Sequence, residues 1–356
     1  MLKKILIFFL AVFLLTGCKS SQDIEEIIFS SWGSITEVGI IKEIISDYEA
    51  ENPNIKIRFM HIPQNYFQKI HLLFASRTAP DVVFINNQYL PIYSNYLEDL
   101  SGFVNKKDFY PQALDALSYD EKLLAIPRDV SNLVFYINTD LIGKLDSSWS
   151  IEDLLQYSQK VKGSNAYGVS YEEELYYLLP YLAYYGESFD KDFDFDKSKG
   201  VGFYKALRDE HKVAPTKSQV GSLTLAQLFL DEKLAMYLSG RWMYPIISQR
   251  ADFNWIVMNF PYGKQGQPCD ASGWAISKDS KHKDAALEFI NYLASERVAE
   301  EFFQTGLIVP ARRSEKFFIE DNIHNEKIFL EVLKKSKSFC VDRNFKKYND
   351  KINKEL

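Results

Sequence analysis

The sequence predicts an α/β fold divided into two lobes. Short apolar stretches typical of buried strands alternate with segments whose apolar residues recur at helical spacing, and this alternation is typical of α/β domains. The chain has 356 residues, which is longer than one hydrophobic core usually grows, so two lobes are expected. A hydrophobic content of 46%, with no second long uncharged apolar run after the N-terminal region, indicates a globular body.

The N-terminal residues predict an export signal with a lipid anchor. Two lysines precede an uncharged apolar run, residues 5–15, which is shorter than the roughly 20 residues that a membrane-spanning helix needs. The "LTGC" that follows, residues 15–18, resembles the lipobox of bacterial lipoproteins. This resemblance implies that residues 1–17 are removed, that Cys18 carries the lipid, and that residues 18–25 form the anchor linker. We therefore expect an exported protein, anchored to the cell membrane and facing the periplasm or the cell exterior.

The strand and helix pattern begins after this linker. Residues 26–31 predict a buried strand, residues 38–48 an amphipathic helix, and residues 55–59 a strand with alternating polarity. A second helix at residues 66–76 and a continuous apolar strand at residues 81–85 repeat the pattern. Alternation of this kind predicts a mostly parallel sheet covered by helices on both faces.

A second α/β unit follows along the chain. Its predicted strands are residues 133–137, 168–170, 235–238 and 255–258. Residues 151–161 predict a helix between them, and residues 283–294 show the clearest amphipathic helical pattern near the end of the chain.

Charge and cysteine content exclude two further classes of protein. The formal net charge is −6 at pH 7 and becomes −8 without the two leader lysines, and the charges do not gather into basic stripes. Nucleic acid is therefore not an expected partner. Cys269 and Cys340 are the only cysteines after Cys18, which excludes a disulfide-rich scaffold and leaves open whether these two pair.

Five short motifs occur in an order that points to one family. They are "YEAENPNIKIRF" (48–59), "ASRTAPDVVFIN" (75–86), "KLLAIPRDVSNLVFYINTDL" (122–141), "MYLSGRWM" (236–243) and "SGWAISKDSKHKDAALEFINYLAS" (272–295). Together they resemble successive landmarks of the family 1 extracellular solute-binding proteins, the carbohydrate receptors of ABC-type importers, to which the maltodextrin-binding proteins belong. The resemblance extends from about residue 27 to residue 312, and residues 313–356 carry no motif of this set.

The resemblance implies a type II periplasmic-binding-protein architecture, in which three chain crossings join two lobes around a ligand cleft. We expect the crossings near residues 126–130, 260–266 and 309–312, each of which contains Pro or Gly. The first lobe is expected to contain residues 26–127 and 266–310, and the second lobe residues 128–265 and 311–356. The implied partners are a small carbohydrate, the transmembrane permease of the importer and the membrane that holds the anchor, and we expect a monomer without a cofactor or a metal ion.

A sugar receptor needs aromatic platforms beside hydrogen-bonding side chains, because sugars present both hydroxyl groups and apolar C–H faces. Residues of these types occur in the segments that, by resemblance, line the cleft. The candidate ligand-binding residues are Trp32, Asn86, Asn87, Arg128, Asp129, Glu174, Tyr176, Trp242, Ser272, Gly273 and Trp274.

These candidates are not equally specific. Tyr176 is as well explained by core packing, whereas Trp242 and Trp274 each occur in a turn-like segment near a glycine, where a large ring is expected to meet a ligand. Arg128 and Asp129 could contact ligand or could pair with each other across the hinge. In the run Glu172–Glu174 we expect only Glu174 to contact ligand, because charge runs usually form solvated faces.

Two alternatives compete with a sugar receptor. An anionic polyol such as glycerol phosphate or a glycerophosphodiester could bind to Arg128 and Arg241, because arginine recognises anions through bidentate pairing. A lipid-anchored glycosidase could assemble two carboxylates in space, but the sequence contains no nucleophile elbow, no phosphate-binding loop and no H-E-x-x-H motif. We therefore expect a binding protein and not an enzyme.

Overall fold

The computed structural model of the protein describes residues 24–189, 193–320, 322–339 and 345–356. Cys18 and Cys340 lie outside these ranges, so the lipid anchor and the pairing of Cys269 with Cys340 concern residues beyond the described part of the chain. Cys269 itself is buried and is not part of a disulfide among the described residues.

The described strands are β1 (Glu25–Ser31), β2 (Ile55–His61), β3 (Val82–Asn86), β4 (Ser118–Tyr119), β5 (Lys122–Leu123), β6 (Ile126–Asn132), β7 (Val134–Asn138), β8 (Tyr167–Val169), β9 (Leu234–Ser239), β10 (Trp255–Asn259), β11 (Gln267–Ile276) and β12 (Ser336–Ser338). The described helices are α1 (Ile35–Glu51), α2 (Tyr66–Ala75), α3 (Leu90–Tyr93), α4 (Pro111–Ala116), α5 (Thr139–Ile142), α6 (Ile151–Gln159), α7 (Leu175–Tyr185), α8 (Lys199–Asp209), α9 (Lys217–Val220), α10 (Leu225–Leu230), α11 (Tyr244–Arg250), α12 (Lys283–Leu293), α13 (Glu296–Gln304), α14 (Ile328–Leu333) and α15 (Phe345–Glu355). Short 3₁₀ turns occur at Ser94–Tyr96, Lys106–Asp108, Phe195–Lys197 and Arg241–Met243. The apolar periodicity therefore predicted the main strands and helices to within a few residues.

The first sheet combines six of these strands. Its order is β12-β11-β3-β1-β2, and β6 pairs with the other edge of β11. β1 is parallel to both β2 and β3, because α1 and α2 carry the chain back across the sheet between these strands. β11 runs antiparallel to β3 and β6, so its first half lies beside the carboxyl end of β3.

The second sheet has the order β10-β7-β9-β8. Only β8 and β9 are parallel, while β7 is antiparallel to both β9 and β10. The expectation of a mostly parallel sheet in each lobe is therefore wrong for this one. Its strands come from distant parts of the chain, so their directions do not follow from the local strand–helix–strand pattern.

The chain passes between the two sheets at several points. A single residue, Leu133, separates β6 in the first sheet from β7 in the second, and residues 260–266 connect β10 to β11. Residues 309–311 run beside β6, where the amide of Val130 donates to the carbonyl of Val309 at 3.0 Å. β12 then returns to the first sheet, and α15 packs on α7 beside the second sheet. The C-terminal residues therefore do not belong to one sheet alone, and the predicted lobe boundaries at 128 and 311 stay predictions.

Both sheets are anchored in apolar cores. One face of the second sheet packs on α7 and α8 through Phe135, Tyr181 and Tyr204, and the other face joins the core of the first sheet. Each fully buried large side chain contributes about 1.5–3 kcal/mol, so these cores hold the strand ends in fixed positions. Among the described helices none is both long enough and apolar enough to cross a membrane.

Candidate functional site

A row of polar side chains crosses one face of the first sheet. Ser272 in the middle of β11 lies opposite Asn86 on β3 and opposite Asp129 on β6. Asp270 precedes Ser272 by two residues and lies opposite Ser131. Because side chains alternate between the faces of a strand, Asp270 and Ser272 point to the same side, together with Asn86 and Asp129. The sheet therefore gathers two carboxylates, an amide and a hydroxyl near the carboxyl end of β3.

Asp129 is held in this row by a buried arginine. Asp129 is 3% exposed, and Arg128 donates from Nε to its Oδ2 atom at 2.6 Å. A second bond, at 2.6 Å, runs from the Nη1 atom of Arg128 to Oε1 of Glu37, in the first turn of α1. The pKa of Asp129 is raised by burial, although Arg128 opposes this shift. Both carboxylate partners of Arg128 belong to the protein and lie on β6 and α1, so this arginine is paired at the first sheet and not across the crossing to the second, and its contact with ligand stays a prediction.

Glu37 reaches Arg128 because of the way α1 begins. Ser34 caps the helix by accepting the amide proton of Glu37 at 3.2 Å. The cap follows directly after Trp32 and Gly33 at the carboxyl end of β1, so the first turn of α1 lies at the same edge of the sheet as the polar row. The sequence pattern did not identify Glu37 as part of the site.

Asp270 has a different environment from Asp129. It is 9% exposed and accepts a hydrogen bond from Nε2 of Gln88 at 3.1 Å. Burial raises its pKa to about 7, and the negative charge of Asp129 acts in the same direction. Among the described residues the partner of Asp270 is thus a neutral amide, whereas Asp129 has an arginine.

Asn87 follows Asn86 directly and lies just beyond the end of β3. Its backbone amide donates to the carbonyl of Ala271 at 3.1 Å and fixes the chain just after β3. The side chain is 2% exposed, yet neither its Oδ1 nor its Nδ2 atom has a hydrogen-bond partner among the described residues. A buried amide without a hydrogen-bond partner costs about 1–3 kcal/mol of folding free energy. The side chain of Asn87 is therefore a candidate to bind a polar ligand.

Tyr176 brings the second lobe to this row. It lies in α7 and is 8% exposed, and its hydroxyl donates to the carbonyl of Ser131 on β6 at 3.5 Å. Burial raises the pKa of Tyr176, and Asp270 is the first of the charged groups that raise it further. Tyr177 packs edge-on against the same ring at 5.8 Å between centroids.

The acidic run before α7 forms a second group of carboxylates. Burial raises the pKa of Glu172 to about 7, with Glu174 and Glu173 adding to the shift. The side chain of Glu174 is exposed, and desolvation by the surrounding protein raises its pKa. A cavity of about 460 Å³ is lined by Glu172, Glu174 and Thr224 among other residues. Glu173 instead lies 3.9 Å from Arg208 and 3.8 Å from Lys217.

Trp32 is a partly buried ring at the carboxyl end of β1. It makes edge-to-face contacts with Tyr66, Phe67 and Phe84, at centroid distances of 5.0, 4.9 and 4.6 Å. These neighbours fix the orientation of the indole, and its remaining surface is open. A fixed and partly open aromatic face is the kind of platform on which a sugar ring stacks.

Trp274 and Gly273 do not occupy the turn that the sequence predicted. Both lie inside β11, and Trp274 is 0% exposed, packed edge-on against Phe29 and tilted against Phe84. The guanidinium of Arg128 lies over this ring at 5.5 Å, so Trp274 supports the site from beneath. A Cβ atom at Gly273 would lie 2.3 Å from the carbonyl oxygen of Ile126, which explains the glycine by the close approach of two strands. The prediction of a turn at Trp274 is therefore wrong, because the ring packs in the core from within a strand, and its contact with ligand stays a prediction.

Trp242 lies where a turn was predicted. It is 36% exposed in the turn Arg241–Met243 that follows β9, and Gly240 lies directly against its ring. Arg241 points into the protein, where it contacts the carbonyl of Ile308 and donates to Oε1 of Glu326 at 2.7 Å. The structure thus leaves Trp242 available at the surface of the second lobe but does not bring it into the polar row.

Sequence reasoning missed Asp270, Gln88 and Tyr177 as well as Glu37. One feature of the sequence could have identified Asp270. It is the only carboxylate in a ten-residue stretch that is buried throughout, and a buried carboxylate usually has a specific role. The remaining three were hidden because their importance depends on which strands are neighbours. Within the described residues no group of three or more His, Cys, Asp or Glu side chains is placed to hold a metal ion.

Comparison with known proteins agrees with the fold described above. Residues 43–324 match the family model described as bacterial extracellular solute-binding protein. The galactooligosaccharide-binding protein of Bacillus subtilis is 24% identical over 322 residues, covering 84% of this chain and 76% of that protein.

Two solved structures have the same fold. An ABC substrate-binding protein of Listeria monocytogenes in complex with cycloalternan superposes with a TM-score of 0.82 at 22% identity, covering 94% of this chain and 92% of the other. The GacH receptor of Streptomyces glaucescens, solved without ligand and with acarbose, superposes with a TM-score of 0.81 at 22% identity, covering 93% and 92%. These likenesses confirm the predicted type II periplasmic-binding-protein fold. Because the family model covers most of the sequence, this chain belongs to the bacterial extracellular solute-binding proteins.

Proposed function

We propose that this protein is the carbohydrate receptor of an ABC-type importer and that its ligand is a mono- or oligosaccharide held between the two lobes. The observation that carries the proposal is the convergence of Asp129, Asp270 and Ser272 on the first sheet with Tyr176 from the second lobe. Its relatives include proteins described as binding galactooligosaccharide and cycloalternan, which supports the same class of ligand.

The chemistry of the polar row suits a sugar. Carboxylates accept hydrogen bonds from hydroxyl groups, and the unpaired amide of Asn87 can both donate to and accept from a hydroxyl. The partly open face of Trp32 offers an apolar surface for the C–H side of a pyranose ring. Glu174 and the cavity beside it offer further carboxylate and hydroxyl groups on the second lobe, which a longer saccharide could contact.

Burial of the site supports a closing motion. Asn87, Asp129, Asp270 and Tyr176 are each no more than 9% exposed. A saccharide cannot reach these side chains in this conformation, so the lobes must separate to admit it. We propose that Leu133 and residues 260–266 and 309–312 act as the hinge and that ligand favours the closed state because it contacts both lobes.

The same proposal includes delivery to a membrane partner. Lipid attached to Cys18 would keep the receptor near the permease and raise its effective concentration there. Replacement of Cys18 by serine should abolish incorporation of labelled fatty acid, and unchanged labelling would refute the anchor.

A titration against saccharides tests the function directly. Purified receptor is titrated by calorimetry with malto-oligosaccharides and galactooligosaccharides, and the bound saccharide should also stabilise the fold, by about 2.7 kcal/mol at 100 times its Kd. Failure of every saccharide to bind would refute the proposal. Release of reducing sugar from a bound oligosaccharide would instead show a glycosidase.

A further inference from the structure

The cleft contains more negative than positive charge. Asp129 and Asp270 lie on one face of the first sheet, close enough for the charge of each to disfavour the other. A second group of carboxylates, Glu172 and Glu174, precedes α7 in the second lobe, in the segment that leads to Tyr176. The excess of negative charge around the row itself comes from Asp129, Asp270 and Glu37 against the single arginine Arg128.

The arginine nearest to them is already paired. Arg128 binds Asp129 and Glu37 at 2.6 Å each and is 9% exposed. Arg241, the other arginine that could have received an anion, is 6% exposed and is paired with Glu326. An anionic ligand would therefore have to displace a carboxylate that belongs to the protein.

Within the part of the chain that the structure describes, no hydrogen bond or ion pair joins Asp270 to a cation. It accepts a hydrogen bond from the neutral amide of Gln88, and its neighbours include a second acid and the hydroxyl of a tyrosine. The charged and titratable groups around it on the packed elements are Arg128, Asp129, Glu37, Tyr176, Cys269, Asp115 and Lys337. Lys337 lies opposite Pro268 on β12 and is exposed, so solvent screens its charge.

We propose that Asp270 is a specificity-determining residue, which together with Asp129 makes the site accept uncharged saccharides and reject saccharides that carry a carboxylate or phosphate. This inference rests on the proposed function, because it concerns the ligand of the same cleft. An uncharged sugar donates hydroxyl protons to the two carboxyl groups, whereas an anionic sugar places a third negative charge beside them in a poorly solvated space. Titration of Asp270 sets the strength of this rejection, since the protonated carboxyl group repels an anion less than the carboxylate does.

Pairs of saccharides that differ only at C6 test the proposal. The probes are α-1,4-galactobiose with α-1,4-digalacturonate, and maltotriose with its triuronate, titrated by calorimetry into the wild-type receptor. We expect the neutral member of a pair to bind at least about tenfold more tightly than the acid. In the Asp270→Asn variant the ratio of the neutral probe's affinity to the acidic probe's affinity should be at least about threefold smaller than in the wild type. The matched control is Asp279→Asn, which removes the same charge from an exposed position beyond the far end of β11 and should leave this ratio unchanged.

A pH series provides a second measurement that does not depend on a variant. The ratio of the affinity for the neutral probe to the affinity for the acidic probe should be larger at about pH 8 than at about pH 5.5. The reason is that Asp270 is ionised at about pH 8 and protonated at about pH 5.5. Equal binding of acid and neutral probes, or a ratio that neither pH nor Asp270→Asn changes, would overturn this proposal while leaving the receptor function intact. If neither member of either pair binds, the function proposed for these saccharides fails, and this proposal fails with it.

Discussion

The hydroxyl of Tyr176 lies 3.5 Å from the carbonyl oxygen of Ser131 and joins a helix of the second lobe to the last strand that precedes the crossing between the sheets. The same ring lies beside Asp270 and Asp129 on the first sheet. Tyr176 is therefore a buried packing residue that also lies beside the proposed binding row, so the two roles that the sequence offered as alternatives are compatible.

Truncation of this ring should weaken ligand binding. Tyr176→Ala removes a desolvated aromatic side chain at the centre of the site, and such anchors typically contribute 2 kcal/mol or more, so we expect at least a tenfold loss of saccharide affinity by calorimetry. Tyr176→Phe keeps the ring and should lose less. Tyr96→Ala, at a 37% exposed tyrosine of the first lobe, should bind as wild type does. Wild-type affinity in Tyr176→Ala would show that the ring is only part of the core.

Asn87 offers a test that separates binding from stability. Because its buried amide has no partner among the described residues, Asn87→Leu should leave the free energy of unfolding unchanged or raise it by up to about 1 kcal/mol. The same change removes a donor and an acceptor from the ligand and should weaken binding at least about tenfold.

A buried asparagine elsewhere serves as the control for Asn87. The Oδ1 atom of Asn138 caps α5 by accepting from the amides of Asp140 and Leu141 at 3.0 and 3.1 Å. Asn138→Leu should therefore destabilise the protein by about 1 kcal/mol, measured by urea denaturation, while binding stays unchanged. A loss of stability with normal binding in Asn87→Leu would contradict the assignment.

Alanine substitution of the two predicted tryptophan platforms should affect stability and binding differently. Trp274→Ala empties a fully buried position and should cost about 3–5 kcal/mol of unfolding free energy. Trp242→Ala removes a ring that is 36% exposed and should cost much less, while weakening saccharide binding at least tenfold if it meets the ligand on closure. Urea denaturation and calorimetry of both variants measure the difference. Wild-type stability of Trp274→Ala would contradict its place in the core.

The stability of the free receptor should depend on pH in a specific direction. The pKa of Asp270 is raised to about 7 in the folded state, from an ordinary value of 3.8, and Glu172 is raised in the same direction. Between these values the folded state binds more protons than the unfolded state, so the free energy of unfolding falls as pH rises from about 4 to about 7. Above that window the effect of these groups levels off.

Urea denaturation at about pH 5 and about pH 8 measures this slope. Asp270→Asn should remove of the order of 2 kcal/mol of the difference, since one pKa unit corresponds to about 1.4 kcal/mol. Asp279→Asn should leave the slope as in wild type. A receptor that becomes more stable as pH rises through this window, with or without Asp270, would refute the interpretation.

The sequence predicted the elements of the fold better than their arrangement. Periodicity located β1 to β3 and α12 closely, because these segments bury one face or both faces of a simple repeat. It could not reveal that β7 is antiparallel to β9 and β10, or that β12 returns to the first sheet, because strand neighbours depend on contacts between residues far apart in the chain.

For the site too, the sequence predicted individual residues better than their arrangement. Asn86, Asn87, Asp129 and Ser272 were identified from their positions at strand ends and in motifs, and the first sheet places Asn86, Asp129 and Ser272 side by side. Trp274 was misplaced because a glycine beside a large ring is typical of a turn, whereas Gly273 is required by the approach of the β6 backbone. Asp270 was overlooked because its importance depends on the distance to Asp129 across two strands.

Small-angle scattering tests the central claim, that a saccharide closes the two lobes around this row of side chains. The free receptor should have the larger radius of gyration, because Asn87 and Asp270 must become accessible before ligand can enter. Saturation with its tightest-binding saccharide should reduce the radius of gyration and bring the scattering profile into agreement with the conformation described above. A saturated receptor as extended as the free one would contradict closure, even if its affinity were high.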